Sequence, residues 1–511
     1  MAKSSEPPTT THIPCWRLVV EQGILTQEVI DYPYPGAGTE EDPYVKWFIT
    51  VVMALATLAV SLDSSAYSGG ITQIIEEFHI STEVATLGVS LFVVGFAIGP
   101  LLWAPLSEMF GRQILFITTY CALTAFNCAA ASAQNSWTLI ILRFFAGAFG
   151  SSPLTNAGGV IADMFPAKER AIAMSIFAAA PFLGPVIGPI AGGFLGLKAG
   201  WRWVMGLLGA FSGLVWIVGA LFIPETYAPV LLRHRAAKLS TTTRMIYRTQ
   251  AEIDQKEVSV KESFKVALSR PWILLFREPI VFLLSLYMAI LYGTLFMLFA
   301  AYPIVFQQAR GWNQGLGALP FLAIVTETRH GGSTPPEACL PPCIVASITI
   351  PIDLFWFAWI NSPLIHFMAC TAAGVPFGFG LVLIVLGILN YLIDAYTFYA
   401  ASVLAANAVL RSLFGAAFPL FTSYMYEALG NHWASSIPAF LALVCAPFPF
   451  LFYKYGAAIR RRCKYAAESD AFIHRLHAQV EQHSLSMEHR QSQESAGDDT
   501  VADDPDVANK V

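Results

Sequence analysis

Residues 178–196 read AAAPFLGPVIGPIAGGFLG, a stretch without a single charge. Gly184, Gly188 and Gly192 recur every four residues, and so do Pro181, Pro185 and Pro189. Four-residue spacing places each set along one face of a helix. Glycines on such a face let a neighbouring helix come close, and Gly193 widens the small surface. Prolines remove backbone hydrogen bonds and bend the helix. A bent apolar helix with a small-residue face suits the interface that opens and closes in a rocking transporter. Static packing is the plainer reading, but it leaves three prolines in one span unexplained.

Working outward, apolar runs near 47–70, 86–106, 114–132, 137–160, 171–196 and 203–223 precede a polar stretch at 224–278. Further runs follow near 280–306, 343–361, 366–389, 395–421 and 434–453. Each matches the roughly 20 residues a helix needs to cross a bilayer. The whole chain agrees: 55% of its 511 residues are apolar and 13% charged, against about 25% charged in soluble domains. The fold expected is therefore an all-α, polytopic membrane protein. Residues 46–223 form one helical bundle and 279–455 a second, with a disordered tail at 1–45, a cytoplasmic loop at 224–278 and a disordered, partly acidic tail at 456–511. Residues 1–45 lack the basic start and short apolar core of a signal peptide, so the first span acts as an uncleaved anchor. A net charge of −5 offers no basic field for nucleic acid. The eight cysteines are scattered; Cys339 and Cys343 lack the second pair a zinc site needs. No phosphate-binding loop, dinucleotide fingerprint or metal cluster stands in the chain, so neither an enzyme, a cofactor nor direct ATP drive is expected.

Lys and Arg stay on the cytoplasmic side of a membrane. The 224–278 stretch carries ten of them between Arg233 and Arg277, Arg112 marks the turn after the second run, and Arg460, Arg461 and Arg462 follow the last. Both termini and the central loop are therefore cytoplasmic. Eleven spans cannot satisfy that, because an odd number leaves the termini on opposite sides. The only further apolar stretch is ALPFLAIV (318–325), whose eight residues cover about 12 Å of a core about 30 Å thick. Something the size of a span is missing between Ile324 and Ser333.

Between the second and third spans stands GPLLWAPLSEMFGRQ (99–113). It opens at Gly99, Gly111 permits a tight turn, and Glu108 and Arg112 set opposite charges beside the helix ends. The fourth span opens LIILRFFAGAFGSSP, with Arg143 about 9 Å inside the run. Asp63, in SLDSSAYSGG, lies about 24 Å from the cytoplasmic end of the first span. Those two spans run in opposite directions, so Asp63 and Arg143 reach similar depth in the outer half of the bilayer. Ionisable residues inside a membrane are costly and are functional candidates by default. Facing each other, they form a pair whose charge state shifts when the carboxylate gains or loses its partner; a static ion pair that only fixes packing is the bland alternative. Tyr292, Phe296 and Phe299 share a helix face that either cradles an apolar substrate or packs in the core. Asn156, Asn407 and Arg411 are further polar residues within spans and candidates for a substrate cavity.

Together these segments resemble the major facilitator superfamily. The 99–113 turn is similar to its first loop motif, the Arg143 segment to its fourth-helix motif, and GPVIGPIAGG to the signature of its proton antiporters. SSPLTNAGGVIADMFPAKERA (151–171), PETYAPVLL (224–232), GVPFGFG (374–380), LRSLFGAAFPLF (410–421) and APFPFLFYKYG (446–456) narrow the likeness to the fungal drug:proton antiporter branch with twelve spans. It covers about 45–460. The resemblance implies two six-helix halves and proton-coupled efflux of drugs, toxins or secondary metabolites, with export of polyamines as the alternative. Lipid, protons and a small organic substrate are the partners it implies, a monomer the working unit, and the plasma membrane the commonest address. The departure falls where the span count failed. TETRHGGS (326–333) runs almost directly into TPPEACLPP, so most of the eighth span of the family pattern is absent. A wrongly joined splice site accounts for this most simply; a degraded, inactive gene and a working eleven-span variant also fit.

Overall fold

The computed structural model describes residues 18–22, 26–30, 43–165, 167–243, 246–249, 260–302, 304–305, 340–361, 367–396 and 399–468. Six helical crossings make the first half: Pro43–Ala66, Thr82–Phe110, Arg112–Ala131, Ser136–Gly150 continued by Ser152–Met164, Ala167–Ala199 and Trp201–Phe222. In the second half, Pro279–Tyr302, Leu340–Ile360 and Gly374–Ala395 are followed by Ala400–Cys445 and Pro447–Arg462. The last two carry an apolar stretch of 61 residues, Ser402–Arg462, about 90 Å if straight and three times the bilayer core. Gly430 breaks it with a φ of +73°, a left-handed conformation that glycine adopts without strain. The stretch therefore crosses twice, and the described crossings match the eleven apolar runs.

The bend-prone helix stays continuous from Ala167 to Ala199 with Pro181, Pro185 and Pro189 inside it. Its glycines face the first helix. A Cβ on Gly184 would strike Ser61, one on Gly188 would strike Ser65 and one on Gly192 would strike the Ala66 carbonyl. Ser65 Oγ donates to the Gly184 carbonyl at 3.2 Å. The four-residue repeat thus brings the backbones together around residues 61–66.

The two halves share one apolar core. Val89 and Val93 of the first half belong to the same buried cluster as Leu284, Tyr287 and Leu291 of the second. At one end of the seam, Tyr424 of the second half and Glu83 of the first interact electrostatically.

Several details depart from the sequence reading. The crossing expected at 366–389 spans Gly374–Ala395, with a separate short helix at Phe367–Ala372. Apolar composition alone cannot reveal that break. Residues 224–278 are not simply a loop. They hold helices Ala228–Thr243 and Val260–Arg277, and the second buries Leu274 and Leu275 in the shared core. Outside the all-α membrane body, Thr26–Ile30, Leu18–Gln22 and Ile246–Thr249 form a small antiparallel sheet with Leu18–Gln22 in the middle. Two of its strands, a hairpin joined across residues 23–25, stand where the sequence reading expects a disordered tail; the third comes from more than 200 residues away, a pairing that leaves no local signal.

The missing eighth span falls on residues outside those described. Its flanks are informative. Asn361 Nδ2 donates to the Asn431 carbonyl at 3.3 Å, beside the Gly430 turn, and Tyr302 lies against Phe357. These residues mark one face of the bundle. The opposite face is marked by Glu278, which meets Tyr396 and Tyr465. The helix Leu340–Ile360 is about 31 Å long, so Leu340 lies at the Glu278 face and Val305 at the other. The Arg460–Arg462 cluster, adjoining Tyr465, lies at the Glu278 face as well.

Candidate functional site

Asp63 and Arg143 meet in the first half. Arg143 is fully buried and Asp63 is 1% exposed. Arg143 Nη1 donates to Asp63 Oδ1 at 2.5 Å and Nη2 to the Asp63 carbonyl at 3.0 Å. Its Nε donates to the Gly88 carbonyl at 3.3 Å. The second carboxylate oxygen, Oδ2, accepts from Asn127 Nδ2 at 2.8 Å. The guanidinium is sandwiched between the rings of Phe92, at 4.4 Å, and Tyr67, at 4.9 Å. A buried charge persists only when paired and hydrogen-bonded, and four helices cooperate to do so. Tyr67 is one turn beyond Asp63, and its hydroxyl donates to the Ala85 carbonyl. Its ring leaves no room for a side chain at Gly88.

Depth along the spans locates the two charges in the sequence, but not the rest of the cage. Asn127 carries a signal, an amide inside an apolar span. Tyr67, Phe92 and Gly88 carry none, because which side of a helix faces a neighbour is set by packing.

The 99–113 turn is a second built site. Gly111, with φ +98°, separates two helices. The Glu225 carboxylate fills the space beside it, accepting the backbone N–H of Arg112 at 3.0 Å and of Gln113 at 3.1 Å. It also accepts from Thr226 and Tyr227. A carboxylate here satisfies orphan N–H groups and complements the positive end of the helix dipole. Arg112 reaches Asp163 at 3.0 Å and stacks over Tyr227. Gly99 packs against Ser151 and the Ala148 carbonyl. The side chain of Glu108 lies outside the described residues. In sequence the PETY segment carries a family resemblance and nothing more; its role as a cap is visible only in three dimensions.

The remaining candidates separate. Asn156 is buried and donates to Ser152 Oγ at 3.0 Å, leaving its Oδ1 without a partner. Asn407 is buried in the seam with the Pro279–Tyr302 helix, donating to Ser285 Oγ at 3.1 Å. Phe296 and Phe299 are buried and meet edge to face at 5.1 Å, so they pack in the core. Tyr292 is only half-buried, and Arg411 lies over its ring at 4.8 Å.

Nine described helices long and apolar enough to cross a membrane, one of them kinked at Gly430, a proline-containing helix closely packed on its neighbour and a buried ion pair define a polytopic helical membrane protein. The sequence model of the Major Facilitator Superfamily matches residues 53–419, and the chain belongs to that family. It is 65% identical to the Major facilitator superfamily multidrug transporter mdrA of Aspergillus fumigatus, over 99% of this chain and 90% of that one. It is 59% identical to the MFS-type efflux pump MFS2 of Trichophyton rubrum, over 93% and 86% of the two chains. Among solved structures, the proton:xylose symporter XylE shares the fold, with a TM-score of 0.58 at 16% identity over 81% of this chain and 96% of that one. The alignment with mdrA runs over 544 positions, so at least 33 of them have no counterpart among the 511 residues here. That deficit is the size of a span with its turn.

Proposed function

We propose that this protein is a proton-coupled antiporter that exports small organic molecules, with Asp63 and Arg143 as its proton-responsive pair. The observation that carries this reading is the position of Asp63. It sits on the stretch of the first helix, residues 61–66, against which the Gly184, Gly188 and Gly192 face is packed. A proton on Asp63 removes the negative charge that holds Arg143, and the pair must then rearrange. Movement of the Ala167–Ala199 helix, in turn, shifts the backbone that presents the carboxylate. Proton occupancy and helix packing are thus linked in both directions, as thermodynamic coupling requires. Export, rather than uptake, is favoured by the similarity to multidrug and efflux proteins. The reading includes a monomer in the plasma membrane, on family resemblance.

The test is export driven by an imposed pH gradient in vesicles carrying the full chain. Asp63→Asn, read on the fraction that elutes as a single folded species because it leaves Arg143 without its counter-charge, is expected to lose gradient-driven export while still binding substrate. Full proton-driven export by that variant sinks the proposal and leaves the pair a structural one.

A further inference from the structure

Among the described residues, Arg411 is a charge without a counter-charge in the middle of the membrane. It lies about 16 Å along its helix from the cytoplasmic start at Ala400, near the centre of a core about 30 Å thick. The described ion pairs, Arg112–Asp163, Arg143–Asp63 and Arg202–Glu77, do not include it. Its Nε is buried with no hydrogen-bond partner. Arg143, by contrast, uses all three guanidinium nitrogens.

The direction in which Arg411 faces is fixed by its helix. Gly415, one turn on and on the same face, is closely approached by Tyr292 of the second half and Val93 of the first. Leu413, on the opposite side, is exposed at the outer surface of the bundle. Arg411 is therefore turned to the seam between the halves, away from lipid, and it is only half-buried there. A guanidinium at such depth is costly unless a counter-charge meets it. The seam is also where alternating access opens a path in this fold.

We infer that Arg411 binds the anionic group of the transported molecule, with the Tyr292 ring stacking beside it. The ligand class is small organic anions, aryl carboxylates foremost. The planar guanidinium fork matches a carboxylate with two parallel hydrogen bonds. The half-buried Tyr292 ring, which Phe296 backs from the core at 5.0 Å, offers the aromatic surface for the attached ring. This inference deepens the transport reading above and rests on it for the word substrate.

Binding of 1-naphthoate and of its neutral amide to the purified full-length protein, followed by tryptophan fluorescence, separates charge recognition from ring recognition. The native protein is expected to prefer the carboxylate by about tenfold or more, as charge-assisted hydrogen bonds imply. Arg411→Gln is expected to lose that preference while binding the amide unchanged, and Arg411→Lys to keep part of it. Unchanged amide binding doubles as the control for folding. An Arg411→Gln protein that still prefers the carboxylate overturns the inference. So does equal loss of both ligands in a variant that elutes as a single species, or a native protein that binds neither. Arg411-dependent binding without any gradient-driven flux leaves this inference standing and removes the transport reading instead.

Discussion

The two halves handle their charges in opposite ways. In the first, every described ion pair is closed: Asp63 with Arg143, Asp163 with Arg112, Glu77 with Arg202. The Glu225 carboxylate is likewise committed to backbone N–H groups. In the second half, Arg411 and Asp353 each keep a buried polar atom without a partner, and Glu278 is met by neutral donors, the Tyr396 hydroxyl at 2.8 Å and the Tyr465 N–H at 3.1 Å. Closed pairs are costly to disturb, so the first half resists change except where a proton neutralises one member. Under the two proposals above, proton response belongs to the first half and ligand recognition to the second.

The largest expected effect comes from breaking the closed pair one member at a time. Arg143→Leu leaves the Asp63 carboxylate buried beside Asn127 with no counter-charge, a loss of about 3–5 kcal/mol. Asp63→Asn with Arg143→Gln removes both charges, and most of that stability returns. Thermal unfolding in detergent checks this, and transport separates the roles. If the pair only fixes packing, the double variant regains export together with stability. If the pair responds to protons, stability returns and gradient-driven export does not.

A middle-sized effect tests whether the close approach beside Asp63 is required. Gly188→Leu forces a side chain into Ser65 and the Ala66 backbone, and overpacking of this kind costs about 1–3 kcal/mol. Gly206→Ala is the control, because a Cβ there meets nothing within 4 Å. The melting temperature is expected to fall for the first and to stay within error for the second. Equal behaviour of the two means that the repeated glycines do not govern the contact.

The contrast between the halves also shows what a sequence can carry. The apolar spans and the matching depth of Asp63 and Arg143 are legible, because run length is a one-dimensional quantity set by bilayer thickness. Which faces meet is not. Phe296 and Phe299 follow the same spacing as Tyr292, yet they are buried and Tyr292 is not. Asn407 has the sequence setting of a cavity residue and instead ties two helices together through Ser285. Asp353, buried in the Leu340–Ile360 helix, meets the same intramembrane criterion as Asp63 and lies at a depth close to that of Arg411, yet no described ion pair joins the two. Glu225 and Glu278 look like ordinary loop charges because their partners are backbone groups and residues far along the chain.

Glu278 supplies the smallest effect and sharpens the contrast at its own edge of the bundle. Burial, and then the neighbouring Glu278 carboxylate, push the Cys463 thiol up to about 12. Thiolate is the reactive form, so at pH 8 roughly one thiol in ten thousand is ionised, against about one in four for a free cysteine near 8.5. Alkylation of Cys463 in a variant whose other cysteines are serine is therefore expected to be slow at pH 8 and to quicken toward pH 10. Glu278→Gln keeps an acceptor for Tyr396 and removes the negative charge. It is expected to lower the thiol's titration point and speed alkylation, with little change in melting temperature. A rate unaffected by Glu278→Gln means that burial alone governs the thiol, and that Glu278 acts at this edge as a neutral acceptor rather than as a charge.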